Sequence, residues 1–220
     1  MGSIESARAT PRTRRRRGNM FQVRFHGRGG QGVVTAAELL AVAAFDDGRY
    51  SQAFPTFGSE RTGAPIVSFC RIDDKEIRTR SPISEPDALI IQDPTLLGLP
   101  GLFTGLRPEG YLVLNTSKPI AELGLGTLAL SLPPGHLLAI GATELALEHL
   151  GRPLPNAVLL GGLAAITGVV SLGAVVAAIE ERFTGAAGSG NVAAAQAAYE
   201  IGRAAFGAQE NNRGVALRAS

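Results

Sequence analysis

Residues 21–45 read FQVRFHGRGGQGVVTAAELLAVAAF, and the fold is decided in this stretch. Phe21, Val23 and Phe25 alternate with Gln22, Arg24 and His26, the period of a half-buried strand, and Gly27 breaks it. From Gln31 to Phe45 the apolar residues recur at helical spacing, with Val34, Leu39, Leu40 and Ala43 grouped toward one side. A strand, a glycine turn and a helix therefore follow in order, a Rossmann-like start.

Between them, Gly27-Arg28-Gly29-Gly30-Gln31-Gly32 satisfies G-x-G-x-x-G in the strand-to-helix context that the motif requires. Glycines let the backbone turn with positive φ and let a ligand approach the amides. The helix start supplies unpaired N–H groups and partial positive charge, and Arg28 adds a full one. A dinucleotide site also wants an acidic residue about 20 residues on, at the end of the second strand. Asp46 and Asp47 come early and run into Gly48, which fits a helix-ending turn better. At this point a phosphate ligand, a nicotinamide dinucleotide and glycines needed only for close packing all stay open.

Working outward, further strands are expected at Ile66–Ile72 and Glu76–Thr79, joined by an Asp73-Asp74 turn, and at Ala88–Gln92 and Tyr111–Asn115. The continuous apolar runs Leu89-Ile90-Ile91 and Leu112-Val113-Leu114 suit strands buried on both faces. Ser51 to Pro65 fits neither period and is expected to be a long charged loop. Helices are predicted at Ala142–Leu150, Asn156–Thr167, Leu172–Phe183 and Val192–Phe206. Asn156, Ser171 and Asn191 are placed to cap starts, and Gly185 and Gly207 to follow ends. The fold class is α/β: a mostly parallel or mixed sheet flanked by helices, ending in a helical layer.

The 220 residues suffice for one domain with a full core. The organisation expected is a disordered basic leader at 1–19, a folded module at 20–207 and a C-terminal tail at 208–220. The leader holds Arg8, Arg12 and the run Arg14 to Arg17 against Glu5, so the net charge of +2 becomes about −3 without it. Nucleic-acid binding by the folded body loses its main support. The apolar region from Ala157 to Ile179 is interrupted by glycines, Thr167 and Ser171, so no membrane span is read. One cysteine, Cys70, excludes an internal disulfide, and a cytoplasmic location is the default. His26, His136 and His149 lack metal-ligand spacing.

Several separated segments carry a resemblance: HGRGGQGVVTAAELLA at 26–41, FGSERTGAP at 57–65, ATELALEHLG at 142–151, NAVLLGGLAAITG at 156–168 and NVAAAQAAYEIG at 191–202. Together they resemble the γ subunits of pyruvate:ferredoxin oxidoreductase and other 2-oxoacid:acceptor oxidoreductases. The resemblance implies a non-catalytic γ module of an enzyme that oxidatively decarboxylates a 2-oxo acid, pyruvate foremost, to an acyl-coenzyme A, or runs the reverse. It further implies coenzyme A contact and an assembly role for this chain. Thiamine diphosphate, its magnesium and the iron–sulfur clusters would lie on partner subunits (α, β, δ or fused equivalents), with ferredoxin or another acceptor reached through the complex.

The residues agree with that division: a cubane cluster needs about four thiolates, and no G-D-G segment for a thiamine metal occurs. Carried over by position, the candidate coenzyme-contacting residues are Gly27, Arg28, Gly29, Gly30, Gln31 and Gly32, with Ser59, Glu60 and Arg61 in the second loop. No catalytic or metal-binding residue is assigned. Ser59 stands where relatives often carry proline, and E-R-T-G-A-P is closer to the pyruvate and branched-chain type than to the indolepyruvate type. Two other readings remain: a purely structural assembly subunit, and a free-standing Rossmann-type NAD(P)-binding protein.

Overall fold

The chain supplies all its strands in the first two-thirds, with one long helix after the first strand, and ends in helices. The computed structural model describes residues 20–56 and 62–218. The strands are β1 (Phe21–Arg28), β2 (Tyr50–Pro55), β3 (Pro65–Asp73), β4 (Ala88–Ile91), β5 (Tyr111–Asn115) and β6 (Leu137–Ile140). The helices are α1 (Val33–Asp46), α2 (Gly126–Ser131), α3 (Ala142–Leu150), α4 (Asn156–Thr167), α5 (Leu172–Arg182) and α6 (Gly185–Arg218).

The six strands form one mixed sheet in the order β2-β3-β1-β4-β5-β6. β1 runs parallel to β4, and the parallel run continues through β5 and β6. On its other side β1 pairs antiparallel with β3, and β3 with β2. Alternate residues divide the core. Val23, Phe25, Cys70, Ile72, Ala88 and Ile90 pack under α1, α4, α5 and α6. On the opposite face Leu89, Ile91, Leu112 and Leu114 meet Leu96, Leu102, Leu125 and Leu132 from the connections. The large helices thus cover one face, and the short helix α2 with the connections covers the other, within the expected α/β class of a mixed sheet flanked by helices.

Several local differences have physical reasons. Ser51–Pro55, expected within a loop, is most of edge strand β2, paired from Tyr50↔Asp73 to Pro55↔Ser68. An edge strand is the place in a sheet where proline is tolerated. Glu76–Thr79 is not a strand; the Thr79 and Ser81 carbonyls instead accept from the buried Arg71 guanidinium. β6 has no counterpart among the expected strands. Ser171 does cap α5, its Oγ accepting from the Ala174 N–H at 3.1 Å. Asn191, by contrast, lies buried inside α6 with its Nδ2 donating to the Ala187 carbonyl at 2.9 Å, and Gly207 also falls within that helix. At α4 the N-cap is Pro155, and Asn156 is the first helical residue.

Candidate functional site

The chain leaves β1 in one direction for α1, β2 and β3 and returns to β1's other side as β4, so the carboxyl end of β1 is a topological switch point. Ligand crevices in open α/β sheets form at such places. Here the crevice is a cleft of about 360 Å³ lined by Arg28, Gly29, Gly30, Gly32, Val33, Val34 and Thr35, with Thr62 and Ile66 opposite.

The glycines shape it for distinct reasons. A Cβ on Gly27 would stand 2.6 Å from Val33 Cγ2 and 3.0 Å from Gln92 Oε1, so β1 and the start of α1 approach only across a bare backbone. Gly32 is the N-cap of α1 at φ 71°, in the left-handed region, and no side chain among the described residues caps the helix.

The amides differ in use. The Gly29 N–H donates to the Ala64 carbonyl at 2.9 Å and the Gln31 N–H to the Arg28 carbonyl at 3.1 Å. Among the described residues no acceptor meets the N–H groups of Gly30, Gly32, Val33, Val34 and Thr35. They form an uncapped helix start carrying the partial positive charge of the helix dipole.

A polar network that the sequence does not announce fixes the turn. Gln31 Oε1 accepts from the Arg28 N–H at 2.8 Å, and Gln31 Nε2 donates to Asp93 Oδ2 at 2.7 Å. Asp93 Oδ1 accepts from the Thr95 N–H at 2.9 Å and Oγ at 2.6 Å, capping the short turn at Pro94–Leu96. Arg28 Nε and Nη2 donate to Thr95 Oγ at 3.0 and 2.8 Å, and Nη1 donates to the Gly63 carbonyl at 3.0 Å. Its Nε lies 3.4 Å from Asp93 Oδ2. The Arg28 charge is therefore held across the mouth against a carboxylate, whereas the sequence suggested a cation free for the ligand. Burial alone would raise the Asp93 carboxyl. Thr95, Gln31 and Arg28 together outweigh burial and hold it below the usual aspartate range.

Gly27 to Gly32 thus come together at one crevice. Ser59, Glu60 and Arg61 lie outside the described residues. His26, on the strand before the turn, is kept neutral: burial first, then Arg24, holds its imidazole down to about 4, with Arg24 Nε donating to His26 Nε2 at 3.0 Å. Cys70 is fully buried in β3, and burial pushes its thiol up. No helix among the described residues is long and apolar enough to cross a membrane.

A mixed sheet whose switch point carries a glycine-opened helix start with open backbone donors defines the class, an α/β module with a strand–glycine turn–helix unit at its crevice. Residues 22–201 match the family model described as pyruvate ferredoxin/flavodoxin oxidoreductase. The chain belongs to that family.

The chain is 48% identical over 180 residues to the pyruvate/ketoisovalerate oxidoreductases common subunit gamma of Thermococcus kodakarensis, covering 82% of this chain and 96% of that one. It is 48% identical over 181 residues to the pyruvate synthase subunit PorC of Methanothermobacter marburgensis, covering 82% and 97%. The crystal structure of the pyruvate oxidoreductase subunit PORC from Thermotoga maritima superposes with a TM-score of 0.69 at 35% identity, covering 82% of this chain and 96% of that one. At 17% identity, the fold alone is shared with a 2-oxoglutarate:ferredoxin oxidoreductase from Magnetococcus marinus, at a TM-score of 0.64 over 84% of this chain and 31% of that one.

Proposed function

We propose that this chain is the γ subunit of a 2-oxoacid oxidoreductase, with pyruvate as the first-choice substrate, and that the start of α1 binds the phosphates of coenzyme A. The observation that carries the binding role is the row of N–H groups at Gly30, Gly32, Val33, Val34 and Thr35, which meet no acceptor among the described residues, beside a cleft of about 360 Å³. Backbone donors on a helix start fit a diphosphate, and they need no cation to do so. The cleft suits the phosphates and leaves the rest of the coenzyme to extend toward a partner subunit.

In this reading the chain contributes positioning. Phosphate held at α1 anchors the nucleotide end of the coenzyme, and that remote binding energy orients the thiol for reaction elsewhere in the assembly. Thiamine diphosphate supplies the decarboxylation chemistry and iron–sulfur clusters carry the electrons, both on partner subunits. The single, fully buried Cys70 supports that division.

Gly30 offers a test that leaves the described packing intact, because a Cβ there would meet nothing within 4 Å among the described residues. Asparagine and aspartate both tolerate positive φ and differ by one charge. In the assembled enzyme, assayed as 2-oxoacid- and coenzyme-dependent acceptor reduction, Gly30→Asp should raise the KM for coenzyme A about tenfold over Gly30→Asn, less so at high salt. Equal KM values for the two variants would refute phosphate binding here. Loss of assembly on size exclusion, with no selective effect on coenzyme A, would favour a purely structural role.

A further inference from the structure

We infer that Asp93 is the positioning residue of the anion turn, acting through the Gln31 side-chain amide, an inference that rests on the coenzyme A reading above. Asp93 and Gln31 are 62 residues apart in sequence and 2.7 Å apart in space. The Gln31 amide has only one workable orientation. Its oxygen must face the Arg28 N–H, a donor, and its nitrogen must face the Asp93 carboxylate, an acceptor. The other oxygen of Asp93 accepts from the Thr95 N–H and hydroxyl, so both carboxylate oxygens are committed and its side chain is only 10% exposed.

The relay therefore has a direction: carboxylate, amide, backbone N–H. It fixes the peptide of Arg28, and with it the path of Gly29 and Gly30 into the cleft. Thr95, anchored by the same carboxylate, holds the Arg28 guanidinium at the rim. Asp93 thus sets both backbone donors and rim charge without facing the cleft itself.

This directionality makes the inference testable by exchanging functional groups. In Asp93→Asn, one carboxylate oxygen becomes an NH₂ donor. If that NH₂ faces Gln31, the Gln31 amide must flip and present its own NH₂ to the Arg28 N–H. If it faces Thr95 instead, it meets a donor there. Either way one donor is left opposing another, a loss of about tenfold or more. In Gln31→Glu, two carboxylates face each other, and one of them must take up a proton. The double variant Asp93→Asn with Gln31→Glu restores the polarity along the path from the Arg28 N–H to Thr95, and exchanges the carboxylate beside Arg28 Nε for one at position 31. The carboxylate introduced at position 31 accepts from the Arg28 N–H and from the NH₂ introduced at position 93. The remaining side-chain oxygen at position 93 accepts from Thr95, and net charge is unchanged.

The experiment uses the assembled enzyme and reads the KM for coenzyme A against the KM for the 2-oxo acid, with subunit content checked by size exclusion. Each single variant should raise the KM for coenzyme A about tenfold, selectively, and the double variant should recover to within about threefold of the parent. A double variant no better than the worse single, or single variants that leave the coenzyme A KM unchanged while Gly30→Asp raises it, would overturn the relay. If Gly30→Asp also leaves that KM unchanged, it is the coenzyme A reading itself that has failed.

Discussion

Alanine at Gly30 and at Gly32 separates backbone strain from steric fit. Gly30 has φ 95° and a Cβ there would meet nothing within 4 Å among the described residues; Gly32 has φ 71° and a Cβ there would stand 2.5 Å from Asn156 Nδ2. A non-glycine residue held at positive φ costs about 1–2 kcal/mol, so Gly30→Ala carries that cost alone. Gly32→Ala must in addition displace Asn156, which is 4% exposed and accepts the Ala157 N–H on its Oδ1 at 2.9 Å. Moving that side chain off its rotamer costs about 1 kcal/mol more. Expected losses are therefore about 1.5 kcal/mol for Gly30→Ala and about 2.5 kcal/mol for Gly32→Ala. Urea unfolding of the purified chain followed by far-UV circular dichroism reads both, and Asn156→Ala closes a double-mutant cycle with an expected coupling of about 1 kcal/mol. Equal losses at the two glycines, or no coupling to Asn156, would refute the packing of α4 against the α1 start.

Three further outcomes follow from the same geometry. Because His26 has a folded pKa of about 4 and an unfolded value near 6.5, the unfolded chain binds the extra proton between those limits. Stability should fall as pH drops from about 6.5 toward 4, by at most about 3 kcal/mol, and His26→Gln should flatten that slope in urea titrations across pH. Cys70, buried with a raised thiol pKa, should resist alkylation in the native chain and react fully in denaturant, as mass spectrometry would show. A Cβ on Gly161 would stand 2.0 Å from the Ala195 carbonyl oxygen on α6, so Gly161→Ala should separate α4 from α6 and lower stability by about 2–3 kcal/mol in the same unfolding assay.

The β1–turn–α1 unit was legible because the apolar period switches from two to helical spacing within a few residues. The amphipathic and apolar runs of the last third likewise marked α3, α4 and α5 within a residue or so. β2 was obscured because Tyr50-Ser51-Gln52-Ala53-Phe54-Pro55 contains serine, glutamine and proline. Its strand character comes from pairing with β3 rather than from its own composition. Glu76–Thr79 misled for the converse reason: its local pattern suits a strand, but Arg71 claims the nearby carbonyls. With Gly185 placed after a helix end and Asn191 as a cap, the last helix was expected from Val192, whereas α6 begins at Gly185, and a Cβ on Gly188 or Gly190 would meet the Phe183 or His149 carbonyl oxygen at 2.3 or 2.6 Å. Packing, not helix propensity, sets the start of α6.

In the site the glycines spoke for themselves, while Asp93 and Asn156 did not. Asp93-Pro94-Thr95 after the apolar Leu89-Ile90-Ile91 run carries a helix-start signal, yet nothing local announces that its second oxygen serves Gln31. Asn156 read as a cap for its own helix and instead packs against Gly32. Both are contacts across the switch point, visible only once β4 and α4 lie beside the turn.

Binding of coenzyme A phosphate at the start of α1, as proposed above, is decided by a structure of the native complex with coenzyme A bound. Phosphate oxygens within about 3 Å of the Gly30, Gly32 or Val34 amide nitrogens are the predicted result, and coenzyme A bound with its phosphates on another subunit while this cleft holds none would contradict it.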